Sequence, residues 1–393
     1  MKYDFNRVID RRNTRSYKWD QSEKLFGDQD ILPLWVADMD FESPPAVKEA
    51  ILRRVQEGIY GYSIASESYQ EAIKDWYRRR HDWDIQKEWI SDSPGIVTSL
   101  GLSVELFSKP GDQVILQSPV YYPFYDVIRM NDRKVAINPL IEDEGRYVMD
   151  YAQLEELMAG GAKLLLLCNP HNPGGRVWER EELLRLGELC LRYGVTVISD
   201  EIHCDMIMPG HKHIPFASLS EELSNITLTT LAATKTFNLP GLQTSYIVTS
   251  NPALKRKFDL KLKALSVHMA AYFAAEAVEA AYNEGEEWLD ELTRHISGNA
   301  GYAISYLAEN LPQVTPMKPQ ATYLLWVNCR ALGLDSDGLK KLMYREAKVA
   351  FNEGSVFGTE GQGHLRINLA CPRSILAEAL ERFCKAAAPY AVK

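Results

Sequence analysis

Between residues 112 and 250, short apolar runs alternate with helical stretches. The runs are DQVILQSP (112–119), RKVAINP (133–139), AKLLLLCNP (162–170), VTVISDE (195–201), ITLTTLAAT (226–234) and TSYIVTS (244–250). Runs such as LLLLC lack polar alternation and suit strands covered on both faces, which predicts a mostly parallel sheet with helices on each side. REELLRLGELCLRYG (180–194) places apolar residues three and four apart, the period of an amphipathic helix. Upstream, the first 45 residues are polar and irregular, and Pro44-Pro45 punctuates them. Helices are predicted over about 46–58, 67–81 and 96–108. Past Pro252 the pattern is helical, through AAYFAAEAVEAAYNEG (270–285) and EEWLDELTRHISGNAGYAISYLAEN (286–310). Leu311-Pro312 ends it, and the tail mixes strands (321–328, 364–370) with helices (336–347, 374–388). The expected division is a large α/β domain over 46–285 and a smaller α+β domain over 286–393. The segment 1–45 then packs on the small domain or on a partner.

Composition narrows the classes. The 393 residues are 46% hydrophobic and 25% charged, ordinary globular values, and the length asks for more than one domain. A net charge of −9 gives no overall basic field for nucleic acid or anionic lipid, although a local basic pocket stays open. No run approaches 18 apolar residues and the N-terminus has no apolar signal core, so no membrane span is predicted and a cytoplasmic location is expected. Six cysteines lie scattered without a CxxC pair, which reads as free thiols. Neither GxGxxG nor GxxxxGK[ST] occurs, and Asp205, His211 and His213 lack a fourth paired ligand, so no metal is expected.

The chemistry gathers at strand ends. In open parallel sheets, ligands bind outside the carboxyl ends of the strands. Three such ends carry reactive groups: CNPHNPGGR (168–176), ISDEIHCD (198–205) and TLAATKTFNLPGL (230–242). Asn172, Asp200 and Lys235 each follow an apolar strand. An amide, a carboxylate and a lysine at one sheet edge suit a cofactor with an aromatic nitrogen, an oxyanion and an aldehyde, namely pyridoxal 5′-phosphate (PLP).

NPHNPGG, SDEIH and ATKTFNLPGL resemble the fold-type I PLP enzymes, the aspartate aminotransferase superfamily. PLWVADMDF, the histidine of DEIH and INLACPR are similar, more narrowly, to its cystathionine β-lyase (C–S lyase) branch of the MalY/PatB type. The resemblance runs from about residue 30 to 390. It implies a seven-stranded, mostly parallel sheet and a smaller α+β domain. Lys235 then matches the Schiff-base lysine and the acid/base at Cα. Asp200 matches the partner of the pyridine nitrogen, and Asn172 that of the 3′-oxygen. His203 stands near the same oxygen, where many aminotransferases have tyrosine. Tyr121 matches the ring stacked on the pyridine, and its phenol is a candidate for protonating the leaving group.

Val97, Thr98 and Thr234 match phosphate contacts, since SPGIVTS runs into a helix start. Tyr62 matches a tyrosine reaching the neighbouring subunit's phosphate, which implies a homodimer with shared sites. Arg366 matches the arginine that grips the substrate α-carboxylate. Ala37 and Asp38 line the cleft, through backbone more than side chain. Arg373 reads as structural. Two positions depart from the superfamily: Ala232 replaces a serine three before the lysine, and Gln243 an arginine eight after it. The activity implied is cleavage of cystathionine and related cysteine S-conjugates to a thiol, homocysteine from cystathionine, with pyruvate and ammonia. The alternatives are an aminotransferase of broad or aromatic specificity and a non-catalytic protein on the same fold.

Overall fold

The structure is a computed structural model and describes residues 2–269 and 271–391. Seven strands build the main sheet: β1 (Ile90–Ser93), β2 (Gln113–Ser118), β3 (Lys134–Pro139), β4 (Leu164–Cys168), β5 (Thr196–Asp200), β6 (Thr227–Leu231) and β7 (Ser245–Val248). Their order across the sheet is β1-β7-β6-β5-β4-β2-β3. Strand β7 runs against both of its neighbours. The other pairs, β2–β3, β2–β4, β4–β5 and β5–β6, are parallel. The mostly parallel, seven-stranded sheet is therefore present, with helices on both faces.

Burial explains the unbroken apolar runs. Leu164 to Leu167 are all fully buried, alternately facing one helical layer and the other. Each such leucine stabilises the fold by about 2 kcal/mol. The predicted helices appear as Pro45–Glu57, Glu67–His81, Ile96–Phe107 and Arg180–Tyr193. Glu67–His81 buries Tyr69, Ile73, Trp76 and Tyr77, a stripe at helical spacing, and packs on Ala274–Glu284. That last helix answers the prediction over 270–285, whose first residue, Ala270, lies outside the described residues. Met1 and residues 392–393, the outer ends of the expected N-terminal segment and small domain, lie outside them too.

Several elements differ from the sequence reading. Strand β1 has no counterpart in the sequence reading, because Ile-Ser-Asp-Ser offers one apolar residue in four; its ladder with β7, from Ile90↔Val248 to Ser93↔Ser245, makes it a strand. Helices Pro123–Arg129 and Tyr151–Ala159 were also missed, being too short to show a period. The helix predicted over 336–347 starts as Ser336–Lys341 and ends as a π-helical turn, Leu342–Ala347.

A second, antiparallel sheet joins Thr315–Pro316, Leu324–Asn328, His364–Asn368 and Asn352–Glu353. The N-terminal segment, expected to be irregular, holds two short helices, Tyr17–Asp20 and Ser22–Phe26. It then runs along this second sheet. Leu32–Pro33 pairs in parallel with Val349–Ala350, Asn368 N donates to Leu34 O and Asp40 N donates to Ala370 O. The strip from Leu34 to Phe41 thus lies between the two sheets.

Candidate active site

Strands β6, β5, β4 and β2 are neighbours and point the same way, so their carboxyl ends form one row. That row carries Lys235 past β6, Asp200 at the end of β5, Asn172 past β4 and Tyr121 past β2. All four line one cavity of about 330 Å³, with Ala37, Val97, Thr98, His203 and Thr234. Nine of the twelve residues singled out by sequence therefore meet there.

Each is held by local structure. Lys235 sits in a single helical turn, Ala233–Thr236, and its Nζ donates to Ala37 O over 2.6 Å. Burial pulls its amine down to about 8, with the Arg366 charge acting in the same direction and Asp38 and Asp200 opposing. Asp200 is buried, and its Oδ1 accepts from Ile202 N. Burial raises its carboxyl to about 7, against that hydrogen bond and the Lys235 charge. His203 is pushed down to about 3 by burial and two nearby cations, Lys235 and Arg366, so its imidazole is neutral. Tyr121 N donates to Asn172 O, tying the two loops together. Burial raises the Tyr121 phenol well above its ordinary value.

At the other end of the cavity, helix Ile96–Phe107 begins at Gly95, whose φ of 124° turns the chain out of β1 in a conformation L side chains rarely adopt. The first amides of that helix have no intrahelical acceptor and face an anion favourably. Val97 and Thr98 lie on this first turn.

Three predicted residues fall outside the lining. Arg366, on the second sheet, sends Nη1 to Asn172 Oδ1 at 3.0 Å and Nη2 to Trp35 O and Asn352 Oδ1, at 2.9 and 2.7 Å. It stands beside the cavity, stacked on Phe357. Asp38 turns its carboxylate away, toward Arg11 and Lys18, and its carbonyl accepts from Asn368 Nδ2. The side chain is thus taken up by an ion pair. Tyr62 is 98% exposed, in the uncharged stretch Ile59–Ser66 with Ile59, Tyr60 and Ile64 also exposed.

Sequence reasoning missed Tyr323, whose hydroxyl donates to Ala37 O at 2.9 Å and whose ring meets His203 edge-on. Inside ATYLLWVN it carried only a strand signal. Cys168, Ile202 and Pro240 also line the cavity. Gln243, noted as a departure, stands at its wall. Asp205 meets His81 and Cys204, not His211 and His213, with ligand atoms within 4.8 Å of one another. Its carboxylate already accepts from His81, Trp76 and Thr236, and His213 is paired with Glu201.

The row of lysine, carboxylate, amide and aromatic ring, with a helix start opposite, defines a site for an aromatic aldehyde phosphate. The chain belongs to the class I and II aminotransferase family, whose profile it matches over residues 29–383. It is 44% identical over 379 residues to the cystathionine β-lyase PatB of Bacillus subtilis (strain 168), covering 96% of this chain and 98% of that one. A PLP-bound structure from Clostridium difficile 630, provisionally described as an aminotransferase, superposes with a TM-score of 0.96 at 44% identity, covering 98% of this chain and 100% of the other. The PLP-bound C–S lyase of Staphylococcus hominis superposes with a TM-score of 0.92 at 32% identity, covering 98% of each. The residues here fit that cofactor: His203 Nδ1 and Arg366 Nε are buried without a hydrogen-bond partner among the described residues, beside an amine and a carboxylate of complementary chemistry.

Proposed function

We propose that this protein is a PLP-dependent carbon–sulfur β-lyase that cleaves L-cystathionine and related cysteine S-conjugates to a thiol, pyruvate and ammonia. The single observation carrying this is the convergence of Lys235, Asp200, Asn172 and Tyr121 on one cavity, in a chain 44% identical to a cystathionine β-lyase. When bound, PLP supplies an aldehyde for covalent capture and a ring that takes up the electron pair left at the substrate Cα. Asp200 would face the ring nitrogen, Asn172 and His203 the ring oxygen, and Tyr121 one ring face. Val97, Thr98 and Thr234 would hold the phosphate.

The chain's own groups then act in order. Arg366 grips the α-carboxylate with its planar fork, which orients the Cα–H bond. Lys235, with its amine lowered toward neutrality, takes the Cα proton. The Cβ–S bond breaks, and the departing thiolate receives a proton from Lys235 or from the Tyr121 phenol. Addition of one water to the remaining three-carbon fragment balances the products as pyruvate and ammonia. Ala37 contributes its carbonyl to the wall, and Asp38 its backbone.

The same reading takes residues 46–285 as the cofactor-binding domain and 286–393 as the small domain, with 1–45 laid across it. It takes the protein as a cytoplasmic homodimer in which the exposed Tyr62 reaches the partner's phosphate. Among the described residues no helix is long and apolar enough to cross a membrane. Incubation with cystathionine and no keto acid is the test. Pyruvate and free thiol in equal amounts support the lyase; turnover only when an α-keto acid is supplied selects the aminotransferase.

A further inference from the structure

Four charged side chains, Lys18, Arg11, Asp38 and Asp40, cluster on the strip that carries Ala37, two of them buried. Lys18 is fully buried, and its Nζ donates to Asp40 Oδ2 at 2.6 Å and lies 3.5 Å from Asp38 Oδ1. Arg11 grips Asp38 through both Nη atoms, at 3.2 and 2.8 Å, and reaches Asp40 Oδ1 at 2.7 Å and Met39 O at 3.1 Å. Trp19 Nε1 also donates to Asp40 Oδ1. Two cations and two carboxylates thus balance, Lys18 and Asp40 out of water and Arg11 and Asp38 at its edge.

The strip they hold is fixed from the opposite side as well. Asn368 Nδ2 donates to Val36 O and Asp38 O, both at 2.6 Å, and Asn238 donates to Met39 O and Phe41 O. Asn238 follows Lys235 by three residues, so the strip is bolted to the turn that carries the lysine. Between these fastenings, Ala37 O accepts from Lys235 Nζ and Tyr323 Oη, its hydrogen bonds among the described residues. Packing alone does not require this arrangement, since apolar side chains of similar volume fill a buried space without the cost of desolvating charge. The charges do fix the direction of one carbonyl.

We infer that Lys18 and Arg11 are positioning residues for Lys235: through Asp40 and Asp38 they hold the Ala37 carbonyl as the acceptor that aims the free ε-amine at the substrate Cα. This rests on Lys235 being the Cα base. In the holoenzyme the amine is free only while substrate occupies the cofactor, so the contact there matters during proton transfer and not during substrate binding.

The experiment compares Lys18→Met, Lys18→Met/Asp40→Asn and Lys235→Ala holoenzymes. Lys18→Met is expected to lower kcat for elimination, and the rate of Cα hydrogen–deuterium exchange on L-alanine, by about tenfold, with KM changed less than threefold. The double variant removes the unbalanced carboxylate and regains melting temperature, yet its kcat stays low. In cofactor-free protein, acylation of Lys235 followed by mass spectrometry rises at least threefold in Lys18→Met, while acylation of the surface Lys340 does not change. If kcat and exchange stay within twofold of the parent, or recover together with melting temperature, the positioning role is overturned. If Lys18→Met does not fold, the double variant alone decides by the same criteria. If Lys235→Ala keeps normal elimination, the assignment of Lys235 fails instead, and the two failures are separable.

Discussion

Arg366 Nη1 donates to Asn172 Oδ1 over 3.0 Å, joining a strand of the second sheet to the loop after β4 of the first. One guanidinium therefore registers the two sheets beside the cavity. Burial lowers it to about 10, against the neighbouring Tyr122, Tyr121 and Tyr323. A charged ligand oxygen there replaces neutral acceptors with a stronger one.

Arg366→Lys is expected to cost about 2 kcal/mol of transition-state binding, or roughly thirtyfold in kcat/KM, because lysine has no planar fork for the carboxylate. Most of the loss should fall on KM. Steady-state kinetics with cystathionine, beside melting curves showing an intact fold, checks it.

Lys235→Ala should abolish the absorbance band of the lysine–cofactor imine and lower pyruvate release about a thousandfold. An unchanged band would remove Lys235 from the site.

Asp200 sets a pH dependence in the cofactor-free protein. Its folded value of about 7 lies above the ordinary 3.8, so the folded state keeps a proton that the unfolded chain releases. The penalty is absent below about pH 4 and grows as pH rises to about 7, reaching about 4 kcal/mol at most. Asp200→Asn removes it. The melting temperature of that variant, measured against the parent from pH 4 to 8, should gain steadily with pH up to neutrality and then level off.

Tyr62→Ala changes a side chain 98% exposed in the single chain, so folding stability should shift by less than about 0.5 kcal/mol. If Tyr62 reaches the partner's phosphate as proposed, retention of PLP should nevertheless fall, by about threefold to tenfold in dissociation rate. Dialysis followed by cofactor fluorescence, with sedimentation to follow the dimer, measures both.

Much of this was legible in the chain. The fully buried strands declared themselves because covering both faces demands unbroken apolar residues, as in Leu164–Leu167. That Lys235, Asp200, Asn172 and Tyr121 meet at one cavity was legible because strand ends fix where they fall. What stayed hidden was set by tertiary contact. Strand β1 owes its conformation to β7. Tyr323 is placed by a carbonyl 286 positions away in sequence. Asp38 was read as cleft lining, and the residues that turn it aside, Arg11 and Lys18, lie in a stretch whose polar pattern gave no hint of burial.

The pairing of Leu32–Pro33 with Val349–Ala350 bears on how the protein is made. A ribosome delivers the strip bearing Ala37 early and its sheet partners more than 300 residues later. Until then apolar side chains of the strip such as Leu34 and Met39 lack the second sheet they pack against. Domains tend to fold as they emerge, from the N-terminus onward. Here the cofactor sheet can form first, while the cleft closes only after Asn368 and Ala370 have been added. Catalytic competence is therefore a late event in the life of each chain, and a truncated product would present a folded sheet without a working site.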